Sequence, residues 1–267
     1  MRPRRHVVAW LALFFAGTTA AAGGPAPNLL EVAVDGTVTQ PGIQHLANGS
    51  RFADAVIRAM PRRDTYELGA SVFRISARTE QTRLRAALLH DLKSISAEPN
   101  EVPAVAGRAA DLYAWVEKLP VTGRLPIEGN PRRLEVASGQ VNQTLAFGDR
   151  FSFPERPSTI TVVGAVDRPC ALQHVGARDA LDYMAACPID ADVADRDWLY
   201  VVQPDGRAYR LGVAMWNRGG PQALAPGAIL YVPMRSKIMT RIAPELNDDM
   251  AAFLATQPLP HDHLVAP

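Results

Sequence analysis

Two stretches of the chain repeat one pattern of apolar and polar positions. The first runs Val32-Ala33-Val34-Asp35-Gly36-Thr37-Val38-Thr39-Gln40-Pro41-Gly42, and the second Thr161-Val162-Val163-Gly164-Ala165-Val166-Asp167-Arg168-Pro169-Cys170. Each reads as a β-branched strand with a glycine, closed by a proline-led turn. Each then reaches a short helical pattern carrying Asp-Ala-aliphatic, Asp54-Ala55-Val56 and Asp179-Ala180-Leu181. The copies also close alike, on Phe147-Gly148-Asp149-Arg150-Phe151-Ser152-Phe153-Pro154 and on Pro226-Gly227-Ala228-Ile229-Leu230-Tyr231-Val232-Pro233. Strand, turn, strand, helix and then strands ending in a glycine-led last strand is the order of a β-grasp domain, where a small twisted sheet buries one face under a single helix. Three landmarks in the same order in both halves argue for a duplicated unit. The fold class read from this pattern is α+β, with two β-grasp domains.

The first copy is interrupted after a strand at 70–76. Leu84, Leu88 and Leu92 recur every fourth position along a helix at 79–94, and Ala109, Leu112, Val116 and Leu119 stripe a second helix at 105–119. A loop with two prolines joins them, predicting a helical hairpin inserted at about 79–119. The second copy runs on without an insert, with strands at 198–203 and 209–214 joined by an Asp205-Gly206 turn. Near the C-terminus, Leu246, Met250, Phe253 and Leu254 share one face of a helix from Pro244 to about Thr256, with Asp248 and Asp249 turned away. A helix this short is marginal alone in water. Its apolar face is therefore expected to pack on the chain's own domains or on a partner.

The N-terminus changes the picture of compartment. Arg2, Arg4 and Arg5 precede an apolar run from Val7 to Gly17 and a small-residue site ending Ala20-Ala21-Ala22-Gly23. That is the grammar of a cleaved export signal, and the run is short for a membrane span. No cysteine sits at the cleavage site, which argues against a lipid anchor. Over all 267 residues, 28 Lys+Arg balance 27 Asp+Glu; loss of residues 1–22 removes three arginines and leaves 25 basic against 27 acidic. No basic excess exists for nucleic-acid binding by bulk charge. With 48% hydrophobic and 21% charged residues the chain can bury a core, so it is not disordered as a whole. The predicted organisation is a signal peptide at 1–22, a first β-grasp domain at 28–154 holding the hairpin, a second, soluble-ligand-binding-like β-grasp domain at 155–235, a C-terminal amphipathic helix at 236–257 and a flexible tail at 258–267.

Recognisable enzyme motifs are absent: no Gly-x-Ser-x-Gly, His-Glu-x-x-His, Walker loop or Gly-x-Gly-x-x-Gly. No catalytic residue, metal or cofactor is expected, and His261-Asp262-His263 is too poorly anchored for an ordered metal site. Of the tryptophans, Trp115 and Trp198 read as core. Trp216-Asn217 precedes a Gly219-Gly220-Pro221 turn and stands evenly between core and site. The sharpest polar element is Thr122-Gly123-Arg124-Leu125-Pro126, where an arginine enters a strand right after the hairpin. A buried arginine must be paired or present its donors to a ligand. Both readings stand: a fork for an acidic sugar, or a clamp on a protein carboxylate such as Glu128.

Val121-Thr122-Gly123-Arg124-Leu125-Pro126 resembles the GfcC family of periplasmic capsule-biosynthesis proteins. So do Arg156-Pro157-Ser158-Thr159-Ile160-Thr161-Val162-Val163-Gly164-Ala165-Val166, Ala214-Met215-Trp216-Asn217 and Glu245-Leu246-Asn247-Asp248, an ordered set reaching from about Leu30 to Leu254. The resemblance implies two β-grasp domains, the inserted hairpin, the C-terminal helix and kinship with domains of Wza-type polysaccharide exporters. It also maps the family's arginine in a cavity onto Arg124. The expected function is a non-enzymatic periplasmic factor for capsule or exopolysaccharide assembly and export. It would bind the polysaccharide chain, an exporter component or both, with Arg124, Trp216 and Asn217 as ligand residues. The alternatives are an oligomeric exporter-associated subunit and a polysaccharide-modifying enzyme. Cys170 and Cys187 are expected to pair. A strand at 171–175 spans about 17 Å at ~3.3 Å per residue, and a helix at 177–186 returns about 15 Å at ~1.5 Å per residue. An oxidising compartment then closes the bond.

Overall fold

The computed structural model describes residues 29–259 except 100, 138 and 236–240. The export signal at 1–22, His261-Asp262-His263 and most of the expected tail lie outside the described residues.

Alternating burial builds the first sheet. β1 (Leu29–Gly36) pairs antiparallel with β2 (Gly42–Ala47) and parallel with β5 (Arg150–Phe153). β3 (Ser71–Phe73) and β4 (Arg124–Pro126) complete the order β2-β1-β5-β3-β4. Val32, Val34, Phe151 and Phe153 are buried in one core with Ala55, Val56 and Ala59 of the helix α1 (Phe52–Ala59). Their strand neighbours Glu31, Asp35 and Arg150 are not buried, the signature of a sheet covered on one face.

The second sheet repeats this topology. β6 (Thr159–Gly164), β7 (Cys170–Gln173), β8 (Trp198–Val202), β9 (Ala208–Gly212) and β10 (Ile229–Val232) take the order β7-β6-β10-β8-β9, with β6 and β10 parallel. Gly36 and Gly164, equivalent in the repeat, both have positive φ, at +93° and +106°. Each abuts the carbonyl of the last strand's final residue, Phe153 or Val232. Here burial is nearly continuous along β6, β8 and β10, as in strands covered on both faces.

The second cover comes from the first half. The hairpin consists of α2 (Ile75–Ser96) and α3 (Pro103–Lys118). Its stripe Leu88, Leu92, Ile95, Val105, Ala109, Leu112 and Val116 belongs to the core of the second sheet, not to that of the first. The salt bridge Arg108–Asp190 (3.0 Å) ties the hairpin to the second half. The expected strand at 70–76 is only three residues long, and α2 begins four residues before the expected 79. The chain turns at Arg74, whose guanidinium is held by Asp149 (2.6 and 2.9 Å).

A short α4 (Pro131–Val136) precedes β5, and after β7 comes α5 (Ala180–Ala185), which is shorter than the expected 177–186. Ala177 adopts φ 59°, outside the helical region, and Asp179 caps the helix from its N-terminus. Strand β7 is correspondingly shorter than 171–175. Cys170 and Cys187 form a disulfide, with Cα atoms 6.1 Å apart.

The last helix, α6 (Leu246–Ala255), buries Leu246, Met250, Phe253 and Leu254 in the second core. Tyr200 donates to Asp248 (2.6 Å) and Tyr231 to Asn247 (2.8 Å), fixing it to the face of the second sheet that also meets α2. The apolar face left open between self-packing and a partner is therefore occupied by the chain itself. Beyond α6, Gln257 donates to Pro120 O (3.3 Å) and Leu259 lies against Gly69 and Gly227, so the first residues of the expected flexible tail are packed.

The α2–α6 seam carries like charges. Partial burial, together with Asp91, Glu245 and Asp248, raises the pKa of Asp249; partial burial, opposed by His90, raises that of Asp91. A carboxyl whose folded pKa exceeds its unfolded value opposes folding while ionised, and the penalty fades as pH falls through the folded pKa. Asp249→Asn is expected to melt higher than the parent at neutral pH. Scanning calorimetry should find the gap closing on acidification.

Candidate functional site

Arg124 opens β4 on the face of the first sheet away from α1, and it is 3% exposed. Its Nη1 donates to Ala255 O (2.9 Å) at the C-terminus of α6, and its Nη2 to Pro204 O (2.7 Å) in the β8–β9 turn. Gln81 of α2 holds the adjoining backbone, donating to Arg124 O and accepting from Gly123 N. Burial lowers the guanidinium pKa to about 10, partly countered by Asp205, so it stays charged at neutral pH. Arg124 thus does not present a fork to a cleft, and Glu128 is not its partner. Two backbone carbonyls take its terminal donors, one of them an orphan of a helix C-terminus with its partial negative charge. It is a clasp between the halves.

Trp216 and Asn217 are not its neighbours. They follow β9 beside Trp198, at the end of the β8–β9 hairpin opposite Pro204. The six residues from Trp198 to Pro204 put about 20 Å between the two places at ~3.3 Å per residue. The expected ligand trio is split between two ends of one hairpin. Trp216 is 71% exposed, and Asn217 Nδ2 is spent on Asp197 O (2.8 Å).

What the halves enclose is a cleft of about 880 Å³. Its walls come from the segment 63–68, Pro126–Glu128 at the end of β4, Arg156 between the sheets, His174, the β8–β9 turn and Leu224–Pro226. Buried Tyr66 is lodged in it, donating to Pro226 O (2.8 Å) across the boundary, with the Arg156 guanidinium 5.5 Å over its ring. Burial raises the Tyr66 hydroxyl to about 12, Arg156 acting against the shift and Asp205 with it, so it remains a neutral donor. Four arginines face three acids here. Arg207 pairs with Asp205 (2.7 Å), Arg133 reaches Glu128 (3.8 Å), and Glu67 accepts from Asn130 (3.1 Å). Among the described residues, no carboxylate forms a salt bridge with Arg63 or Arg156. Leu68, Pro126, Ile127, Leu224 and Pro226 supply apolar wall between these polar groups. A cavity with an apolar wall and two guanidinium groups not neutralised by a salt bridge suits a ring-bearing anion. Arg124 stands behind this wall, since Pro126 and Asp205 line the cleft and Pro204 O accepts a hydrogen bond from its Nη2. Among the described residues no group of His, Cys, Asp or Glu could hold a metal.

Sequence reasoning missed Arg63, Tyr66 and Arg156 as site residues. Arg63 and Tyr66 share one segment without a recognisable motif, Arg156 comes from another ninety residues on, and only Arg156 lies in a string that the sequence reading used.

Two comparisons bear on this arrangement. A model of the C-terminal domain of the capsule biosynthesis protein GfcC matches residues 169–258, from the turn before β7 to beyond α6. An uncharacterized protein of Escherichia coli K12, YjbG, is 32% identical over 197 residues, covering 72% of this chain and 76% of its own. The chain belongs to the GfcC capsule-biosynthesis family. The family match takes in the disulfide, the β8–β9 hairpin with Trp216, and α6, while Arg124, Arg63 and Arg156 lie before it. Among the described residues no helix is long and apolar enough to cross a membrane.

Proposed function

We propose that this chain is a non-enzymatic periplasmic factor for capsule or exopolysaccharide assembly and export, and that the cleft between its halves takes an acidic segment of the polymer. The observation that carries the reading is the pair Arg63 and Arg156, without a carboxylate salt bridge among the described residues, beside an apolar wall and Tyr66. Both sheets are read as β-grasp units: first and last strands run parallel at the centre, and one helix follows the second strand. Kinship with Wza-type exporters through that fold is an analogy for function, and a docking exporter component remains part of the proposal. The disulfide accords with an oxidising compartment, and residues 1–22 with export to it. An exporter subunit that oligomerises through its C-terminal helix has less support, because that helix's apolar face is buried within this chain.

Titration calorimetry with oligogalacturonate tests the cleft. Binding should weaken with salt, and the double variant Arg63→Ala/Arg156→Ala should lose at least about tenfold in affinity, roughly 1.4 kcal/mol. Undiminished affinity in that variant, or no binding of any acidic oligosaccharide, would overturn the placement.

A further inference from the structure

The loop after β9 holds two exposed apolar side chains: Met215 is 96% and Trp216 71% exposed. Isolated exposed apolar residues are ordinary; this pair is distinguished by a loop that hydrogen bonds hold in place. The Asp197 carbonyl accepts from both Val213 N (2.9 Å) and Asn217 Nδ2 (2.8 Å). Arg218 folds back on Val213 O through two donors, at 2.8 and 3.2 Å. Gly212 has no side chain where the Asn217 backbone presses against it. Within this clamped loop the Trp216 indole donates to Asp197 Oδ1 (3.4 Å) and stands perpendicular to Trp198, with centroids 6.0 Å apart at 87°. Arg210 lies 4.0 Å over the Trp198 ring. A perpendicular neighbour can cover at most one face of the Trp216 ring. With 71% of Trp216 exposed, the indole keeps ring surface accessible, and its orientation is already fixed, so a ligand stacking there pays little ordering entropy.

We infer that Trp216 is a stacking platform for a neutral pyranose ring, a second saccharide subsite separate from the arginine cleft. The apolar face of a pyranose matches one indole face in size, and Asp197, Arg210 and Arg218 stand nearby to meet hydroxyl groups. A protein partner fits less well. Among the described residues of the second half, the other exposed large apolar side chains, Val175 and Ile189, lie past β7 and β6 on the far side of the sheet from β9, whereas a stable protein interface needs about 800 Å² per partner. The inference rests on the polysaccharide reading above.

The test is a titration of the full chain with cellohexaose, followed by the indole N–H signals in ¹⁵N–¹H spectra. Trp216 and Trp198 should shift while Trp115 does not, and Trp216→Ala should weaken the response about tenfold or abolish it. The same variant should keep its affinity for oligogalacturonate. A Trp216 response that survives Arg63→Ala/Arg156→Ala supports the platform even where the cleft assignment fails. The platform is overturned if cellohexaose, xylohexaose and isomaltohexaose all leave the Trp216 signal unmoved, or if Trp216→Ala binds them as the parent does. It is equally overturned if the signal moves only with protein concentration, which marks a contact between copies.

Discussion

Gly164→Ala should destabilise the chain by about 3 kcal/mol or more, the sum of two independent costs. At φ +106° an L side chain is strained, a cost of ~1–3 kcal/mol. The added Cβ would also fall inside the contact distance of Val232 O and meet the Tyr231 ring, in a core that cannot yield cheaply. The site matters because β6 and β10 run side by side there, and Ala165 N donates to that same Val232 carbonyl (2.8 Å). Gly42→Ala is the control: φ is +110°, but nothing lies within 4 Å of the new methyl. It should cost only the conformational term, about 1 kcal/mol. In melting experiments the first should fall by roughly 6–12 °C and the second by a few degrees. Equal losses for the two would show that the close approach contributes nothing.

Arg124→Ala should cost about 3 kcal/mol, and it should do so through docking of the halves rather than through either sheet. It orphans Ala255 O and Pro204 O, both acceptors of charged hydrogen bonds, each worth ~1.5–3 kcal/mol when broken. Part of that is returned, because a costly buried cation goes with them. Arg124→Met, which keeps bulk, should be milder than alanine. Arg124→Lys should not restore stability, since a single ammonium cannot span both carbonyls as the planar fork does. Denaturant melts and hydrogen exchange at α6 and the β8–β9 turn read the effect. Unchanged stability in Arg124→Ala, with acidic oligosaccharide binding lost, would return this residue to the role of a ligand.

Local pattern made much of the fold legible. β-branched runs with a following glycine located β1 and β6, and leucines four apart located α2, because period and turn chemistry are properties of neighbouring residues. The correspondence of Gly36 with Gly164 is one of position in space as well as in sequence: both sit against a last-strand carbonyl. Asp54 and Asp179 are a looser match. One accepts from Arg51 N at the third residue of α1, and the other caps α5. Element ends were less legible. β3 stops where Arg74 meets Asp149, seventy-five residues away in sequence, and no local signal encodes that partner.

The chain's own order of residues determined the α+β class, the duplicated strand grammar, the inserted hairpin and the pairing of Cys170 with Cys187. Each follows from periodicity, turn residues or the reach of a strand and a returning helix. Tertiary structure alone decided which sheet the hairpin covers, that α6 spends its apolar face inside the chain, and that Arg124 meets carbonyls rather than a carboxylate. It also decided that Arg63, Tyr66 and Arg156 meet at one cleft while Trp216 stands apart. An amphipathic face states that something must cover it but not what, and a guanidinium states that it needs acceptors but not whose. Those choices depend on how two similar sheets pack against each other, where distant segments compete for the same buried surface.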